Sequence, residues 1–135
     1  MSAAPWQAYA ALGWAIVGPP LLVYAATRVR RGRTPLHATL MIGGAALTIG
    51  VLLSFEFVAH PSPKRQELFA LPLFKVHLAF AFAALAGIAW QLTSRGVPRL
   101  RALHRRSGPY VVLVWCLALL TGIYNFVFLY MMDSP

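Results

Sequence analysis

PYVVLVWCLALLTGIYNFVFLYMM, residues 109–132, carries no charged side chain along its whole length. As a helix rising 1.5 Å per residue, such a stretch is longer than the roughly 30 Å of a bilayer's hydrocarbon core. It lacks the strict apolar–polar alternation of a barrel strand, so a helix is the one way it can cross with every backbone group satisfied. Upstream, residues 71–92, 36–59 and 6–27 repeat the pattern, interrupted inside the runs only by Lys75 and Glu56. The composition agrees. Of 135 residues, 59% are hydrophobic and 11% are charged, against about a quarter charged in a soluble domain. A water-soluble globule and a disordered tail are excluded, and with Cys116 as the lone cysteine so is a disulfide scaffold. The first run reads as a span and not a signal peptide, because its basic residues follow the apolar stretch instead of preceding it.

The expected fold is therefore all-α: a single integral membrane domain over residues 1–135, built as an up-down four-helix bundle with short connections. A net charge of +9 would suit a nucleic-acid binder, but its placement argues otherwise. Arg28, Arg30, Arg31 and Arg33 lie between spans one and two, and Arg95, Arg99, Arg101, Arg105 and Arg106 between spans three and four. The positive-inside rule puts both loops in the cytoplasm and both termini on the outer, periplasmic side. The charge is then a topology signal and an attraction to anionic headgroups, with no nucleic-acid partner. Gly18-Pro19-Pro20 removes two backbone donors, so span one is expected to kink or break near mid-membrane. Ala79, Ala83 and Gly87 make a small-residue ridge on span three. Thr121 and Asn125 share one face of span four, where inter-helix hydrogen bonding is the first reading.

The chemistry-bearing residues gather near the span ends. Glu56 and His60 are four apart, hence on one helix face, and His77 enters from span three at a similar depth on the outer side. A carboxylate and two imidazoles converging there would ligate copper, zinc or iron. Met131 and Met132, with Asp133, end span four on that side, and thioethers favour Cu(I). The plain alternative pairs Glu56 with Lys75 or with a neighbouring helix and leaves the methionines as apolar filler. Glu56 carries most weight, because a carboxylate within a span is costly and usually faces an interior. His37 and His104 form a second pair on the cytoplasmic side, where lipid phosphate contact competes with metal binding. Bis-histidine haem ligation is the other natural use of such residues. His37 and His60, however, lie about 34 Å apart along a straight helix. Two haems held there would sit at opposite surfaces; one haem at either end remains open.

His37-Ala-Thr-Leu-Met41, His60, His77, and the stretch from His104-Arg-Arg-Ser-Gly-Pro through Trp115 to Thr121-Gly122 together resemble the CtaM/YozB-like family. These are small bacterial multi-span membrane proteins linked to cytochrome oxidase assembly. The resemblance runs from about Pro35 to Met132, three of the four spans. It implies that His37, His60, His77 and His104 are the family's recurrent histidines, accompanied by Met41, Trp115 and the Thr121-Gly122 pair. It further implies a non-enzymatic accessory factor of a haem–copper respiratory complex, in the bacterial cytoplasmic (inner) membrane, with oxidase subunits as partners. Two other functions stay open: a small b-type haem electron-transfer protein, and a structural subunit packed on a larger complex. No nucleotide-binding loop or catalytic dyad points to an enzyme acting alone.

Overall fold

The structure, a computed structural model, describes residues 4–58 and 63–132, without the side chains of 55–58 and 63–65. All regular structure among the described residues is helical. The elements are α1 (Trp6–Arg30), α2 (Thr34–Val58), α3 (Pro63–Ala70), α4 (Pro72–Gly96) and α5 (Arg101–Phe126). A 3₁₀ turn at Pro98–Leu100 leads into α5, and a π-helical turn at Val127–Met131 extends it. Among the described residues, four helices are long and apolar enough to cross a membrane.

Turn chemistry explains where the helices stop. Gly32 takes the left-handed conformation (φ 74°) that side chains avoid, which lets the chain pass from α1 to α2 in three residues. Pro72 occupies the first turn of α4, where its missing N–H costs no intrahelical bond. Two prolines do not stop α1. Pro19 and Pro20 lie within a helix that runs from Trp6 to Arg30, so of the kink or break expected there, the break does not occur. Pro109 likewise sits inside α5, which starts eight residues before the apolar run it carries.

In cross-section the helices are not arranged in chain order. α5 packs against both α4 and α1, and α1 also packs on α2, so α2 and α4 lie on the two flanks. Glycines bring the central helices close. A Cβ on Gly18 would fall 2.8 Å from Leu119 and 3.2 Å from the Trp14 ring, and one on Gly87 would fall 2.9 Å from Val111. Of the small residues expected to form a ridge on α4, Gly87 reaches the α5 interface, whereas Ala79 and Ala83 are exposed. The buried side of α4 instead carries Phe74, Ala84, Ile88 and Ser94. The core joins α1, α2, α4 and α5 through Trp14, Leu22, Ala45, Ala84, Ile88, Trp115, Cys116 and Ala118.

Inside this apolar core lies one polar knot. Thr48 of α2 donates its hydroxyl proton to the Gly44 carbonyl one turn back (2.9 Å). Its oxygen accepts the indole N–H of Trp14 from α1 (2.9 Å) and of Trp115 from α5 (3.1 Å). One donor and two acceptor positions are thus all used. Gly44 makes room for the rings: a Cβ there would meet Leu22 at 3.3 Å, Trp14 at 3.4 Å and Trp115 at 3.5 Å. Three helices are thereby tied through one hydroxyl, in a setting where an unpaired N–H finds no water.

Candidate histidine sites

His77 stands on α4 and reaches across to α5, its Nδ1 lying 2.9 Å from Thr121 Oγ1. Thr121 already gives its only proton to the carbonyls of Leu117 (2.8 Å) and Ala118 (3.1 Å). Its oxygen can therefore accept, which makes Nδ1 of His77 the donor and puts the ring's lone pair on Nε2. Gly122 seats the ring, since a Cβ there would lie 3.4 Å from His77 Cε1. Phe74, one turn earlier on α4, flanks it with ring centres 6.0 Å apart. So Thr121 and Gly122 work together: one orients the imidazole and the other leaves space for it.

The histidines at the arginine-rich end are held in the same way. His37 of α2 places Nδ1 2.9 Å from the Ala25 carbonyl of α1. His104 of α5 places Nδ1 3.1 Å from the Gln91 carbonyl of α4 and 3.4 Å from the hydroxyl of fully buried Ser94. A carbonyl can only accept, so in both rings Nδ1 carries the proton and Nε2 is left as a lone-pair donor. Nearby, Ser107 repeats the Thr48 arrangement: it donates to Leu103 O (2.8 Å) and accepts from Trp90 Nε1 (3.0 Å) and Gln91 Nε2 (2.8 Å).

The outer-side group expected from the sequence is described only in part. Glu56 belongs to α2 by its backbone, but its side chain lies outside the described residues, as do His60 and Asp133. His77 is thus the described member of that group. Among the described residues no cluster of three His, Cys, Asp or Glu side chains could hold a metal ion. Met131 and Met132 end the π turn and are exposed. Asn125 faces the interior one turn beyond Thr121, with its Oδ1 buried and without a partner. Cys116 is buried, its Sγ 3.9 Å from the Pro19 carbonyl.

Sequence reasoning found the histidines and the Thr121-Gly122 pair but missed Thr48, Ser107 and Gly44. A threonine four residues after a glycine in mid-span was the available signal, because an intramembrane hydroxyl returning its proton to its own helix keeps both lone pairs for a neighbour. No family model, no curated protein and no solved structure matches this chain.

Proposed function

We propose that this chain is a non-enzymatic accessory protein of the bacterial cytoplasmic membrane that handles a metal or haem during maturation of a haem–copper respiratory complex. The observation that carries this reading is common to His37, His77 and His104. Each ring donates Nδ1–H to an oxygen fixed on a neighbouring helix, which puts the ring's lone pair on Nε2. Metal-ligating histidines are held in this way, because the outer hydrogen bond sets the tautomer and the ring's direction. The donor set therefore fits copper, zinc or haem iron. The resemblance of the His37–Gly122 pattern to the oxidase-linked family supplies the respiratory context.

In this reading the helices run up and down, with both termini outside and both arginine-rich loops in the cytoplasm. Contacts support that order, since Trp14 meets Thr48 and Ala25 meets His37, while His77 meets Thr121 and Gln91 meets His104. Glu56, His60 and His77 form the outer-face metal site, and oxidase subunits are the partners. The test is deletion of the gene in its host, read by the a-type haem absorbance and copper content of the membranes. A loss restored by the wild-type chain but not by a His60→Ala/His77→Ala double variant is expected. Normal oxidase spectra and copper in the deletion strain would overturn the reading.

A further inference from the structure

A groove of about 160 Å³ runs between α1 and α2. Trp14 and Leu21 of α1 form one wall, and Leu40, Gly43, Gly44 and Leu47 of α2 form the other. Gly43 makes the space. Among the described residues, nothing in the bundle lies within 4 Å of the position its Cβ would take, whereas a Cβ on Gly44 would turn into the core against Leu22 and the tryptophan rings. Gly43 and Leu47 are exposed, so the groove is open along the surface that faces lipid. Its volume is below the roughly 300–1,000 Å³ of a pocket for a drug-sized ligand. From Trp14 to Leu21 it runs about 10 Å along the helix axis, an apolar slot suited to a segment of hydrocarbon chain.

The groove leads to an arginine cluster. Positions 14, 21 and 28 repeat every seven residues, so Arg28 continues the α1 wall about 10 Å beyond Leu21. Trp14 meets Thr48 and Ala25 meets His37, which puts Arg28 past the Leu40 end of the groove. Its side chain folds back toward that end. The guanidinium carbon lies 4.2 Å from the centre of the Tyr24 ring, one turn nearer the groove, and the buried Nε–H has no hydrogen-bond partner. Arg30, Arg31 and Arg33 follow directly. The acidic residues all belong to other segments: Glu56 to the last turn of α2, Glu67 to α3, and Asp133 to the stretch after the π turn.

We infer that the groove seats one acyl chain of an anionic phospholipid whose phosphate is held by Arg28. The slot supplies packing contacts that a flat helix surface does not give a lipid tail. Arginine is the side chain best shaped to grip a phosphate through paired N–H donors, and Arg28 has a donor unspent. The step from Leu21 to Arg28, shortened by the folding back of the guanidinium, leaves room for the glycerol and ester groups that separate a phosphate from its chains. An arginine cluster without carboxylates selects an anionic headgroup over a zwitterionic one. The same charge disfavours a second copy of this chain as the occupant. Copies inserted in one orientation and joined along this groove would bring their arginine clusters together with no carboxylate between them. The lipid site stands independently of the metal-handling reading.

The test uses the full chain in non-ionic detergent, titrated with dioleoyl phosphatidylglycerol and separately with dioleoyl phosphatidylcholine, and read by native mass spectrometry. The expected result is a discrete first step of one lipid per chain. Phosphatidylglycerol is preferred about fivefold, the factor that one arginine contributes near an anionic headgroup. Arg28→Gln brings the two affinities together. Gly43→Leu fills the groove and abolishes the discrete first step for both lipids. Gly50→Leu makes the same change at another exposed glycine of α2 with open space around it, and leaves binding as in the wild type. Tryptophan fluorescence and thermal unfolding like those of the wild type show that the variants are folded. Equal affinity of the wild-type chain for the two lipids, or a preference that survives Arg28→Gln, would overturn the phosphate site. A first step untouched by Gly43→Leu, or lost equally in Gly50→Leu, would overturn the groove. A dimer that Gly43→Leu dissociates would give the groove to a second copy and overturn the lipid.

Discussion

Trp115 on α5 gives its indole N–H to Thr48 on α2 at 3.1 Å, although the two residues lie sixty-seven positions apart in the chain. Trp14 gives its own to the same oxygen, and Thr48 returns its proton to Gly44. A hydroxyl that satisfies its helix with the proton and its neighbours with the lone pairs recurs at Ser107 and at Thr121. It is the recurring polar device of this bundle. It suits a membrane protein because the apolar contacts between helices are matched by contacts with lipid, which leaves packing and hydrogen bonds to specify the partner.

Thr48→Val keeps the shape of the side chain and removes its oxygen, leaving two buried indole donors unpaired. Stability is expected to fall by about 1–3 kcal/mol, the cost of stranding buried polar groups. Thr48→Ser is expected to retain most of it. Equilibrium unfolding in mixed detergent, followed by tryptophan fluorescence, reads both variants.

Gly87→Ala improves helix propensity by about 1 kcal/mol, yet its Cβ would lie 2.9 Å and 3.0 Å from the two methyls of Val111. Valine in a helix has little rotamer freedom with which to move aside. The net effect is expected to be destabilising, within the roughly 1–3 kcal/mol typical of overpacking. Thermal unfolding of Gly87→Ala/Val111→Ala should recover part of the loss. A Tm for the single variant at or above wild type would refute the close α4–α5 contact.

Thr121→Val removes the acceptor that orients His77 while leaving the imidazole in place. If His77 ligates a metal, affinity should drop about 10–100-fold, as happens when the outer partner of a histidine ligand is lost. Titration with Cu(I) and with Zn(II), comparing wild type, Thr121→Val and Thr121→Ser, provides the measurement. Equal affinity in all three would remove His77 from the metal site.

Alkaline phosphatase fused after the last residue should be active, and a green fluorescent protein at the same place dark, if both termini are outside. Moving either reporter into the 95–106 loop should reverse the result. The basis is the arginine content of the two loops.

Cys116 is buried, with its sulfur directed at the Pro19 carbonyl. A membrane-permeant maleimide is expected to leave it unlabelled in the folded protein and to label it fully after denaturation, as mass spectrometry would show. Rapid labelling of the native chain would mean that α1 and α5 separate readily at that level.

Much was written in the chain itself. Four apolar runs long enough to span a bilayer, and arginines concentrated in two alternate connections, are properties of local composition, and hydrocarbon admits few ways to fold such a run. The histidines and the Thr121-Gly122 pair were visible for the same reason, since polar groups stand out against an apolar background. Tertiary structure decided the rest. It placed α5 between α1 and α4, because Gly18 and Gly87 let neighbouring side chains approach where any Cβ would intrude. It carried α1 unbroken through Pro19-Pro20. It also chose Thr48 as the meeting point of two tryptophans, and fixed which nitrogen of each described histidine is spent. Those outcomes depend on which oxygen a donor finds across a helix interface, and such distances have no signature in the spacing of residues along one helix.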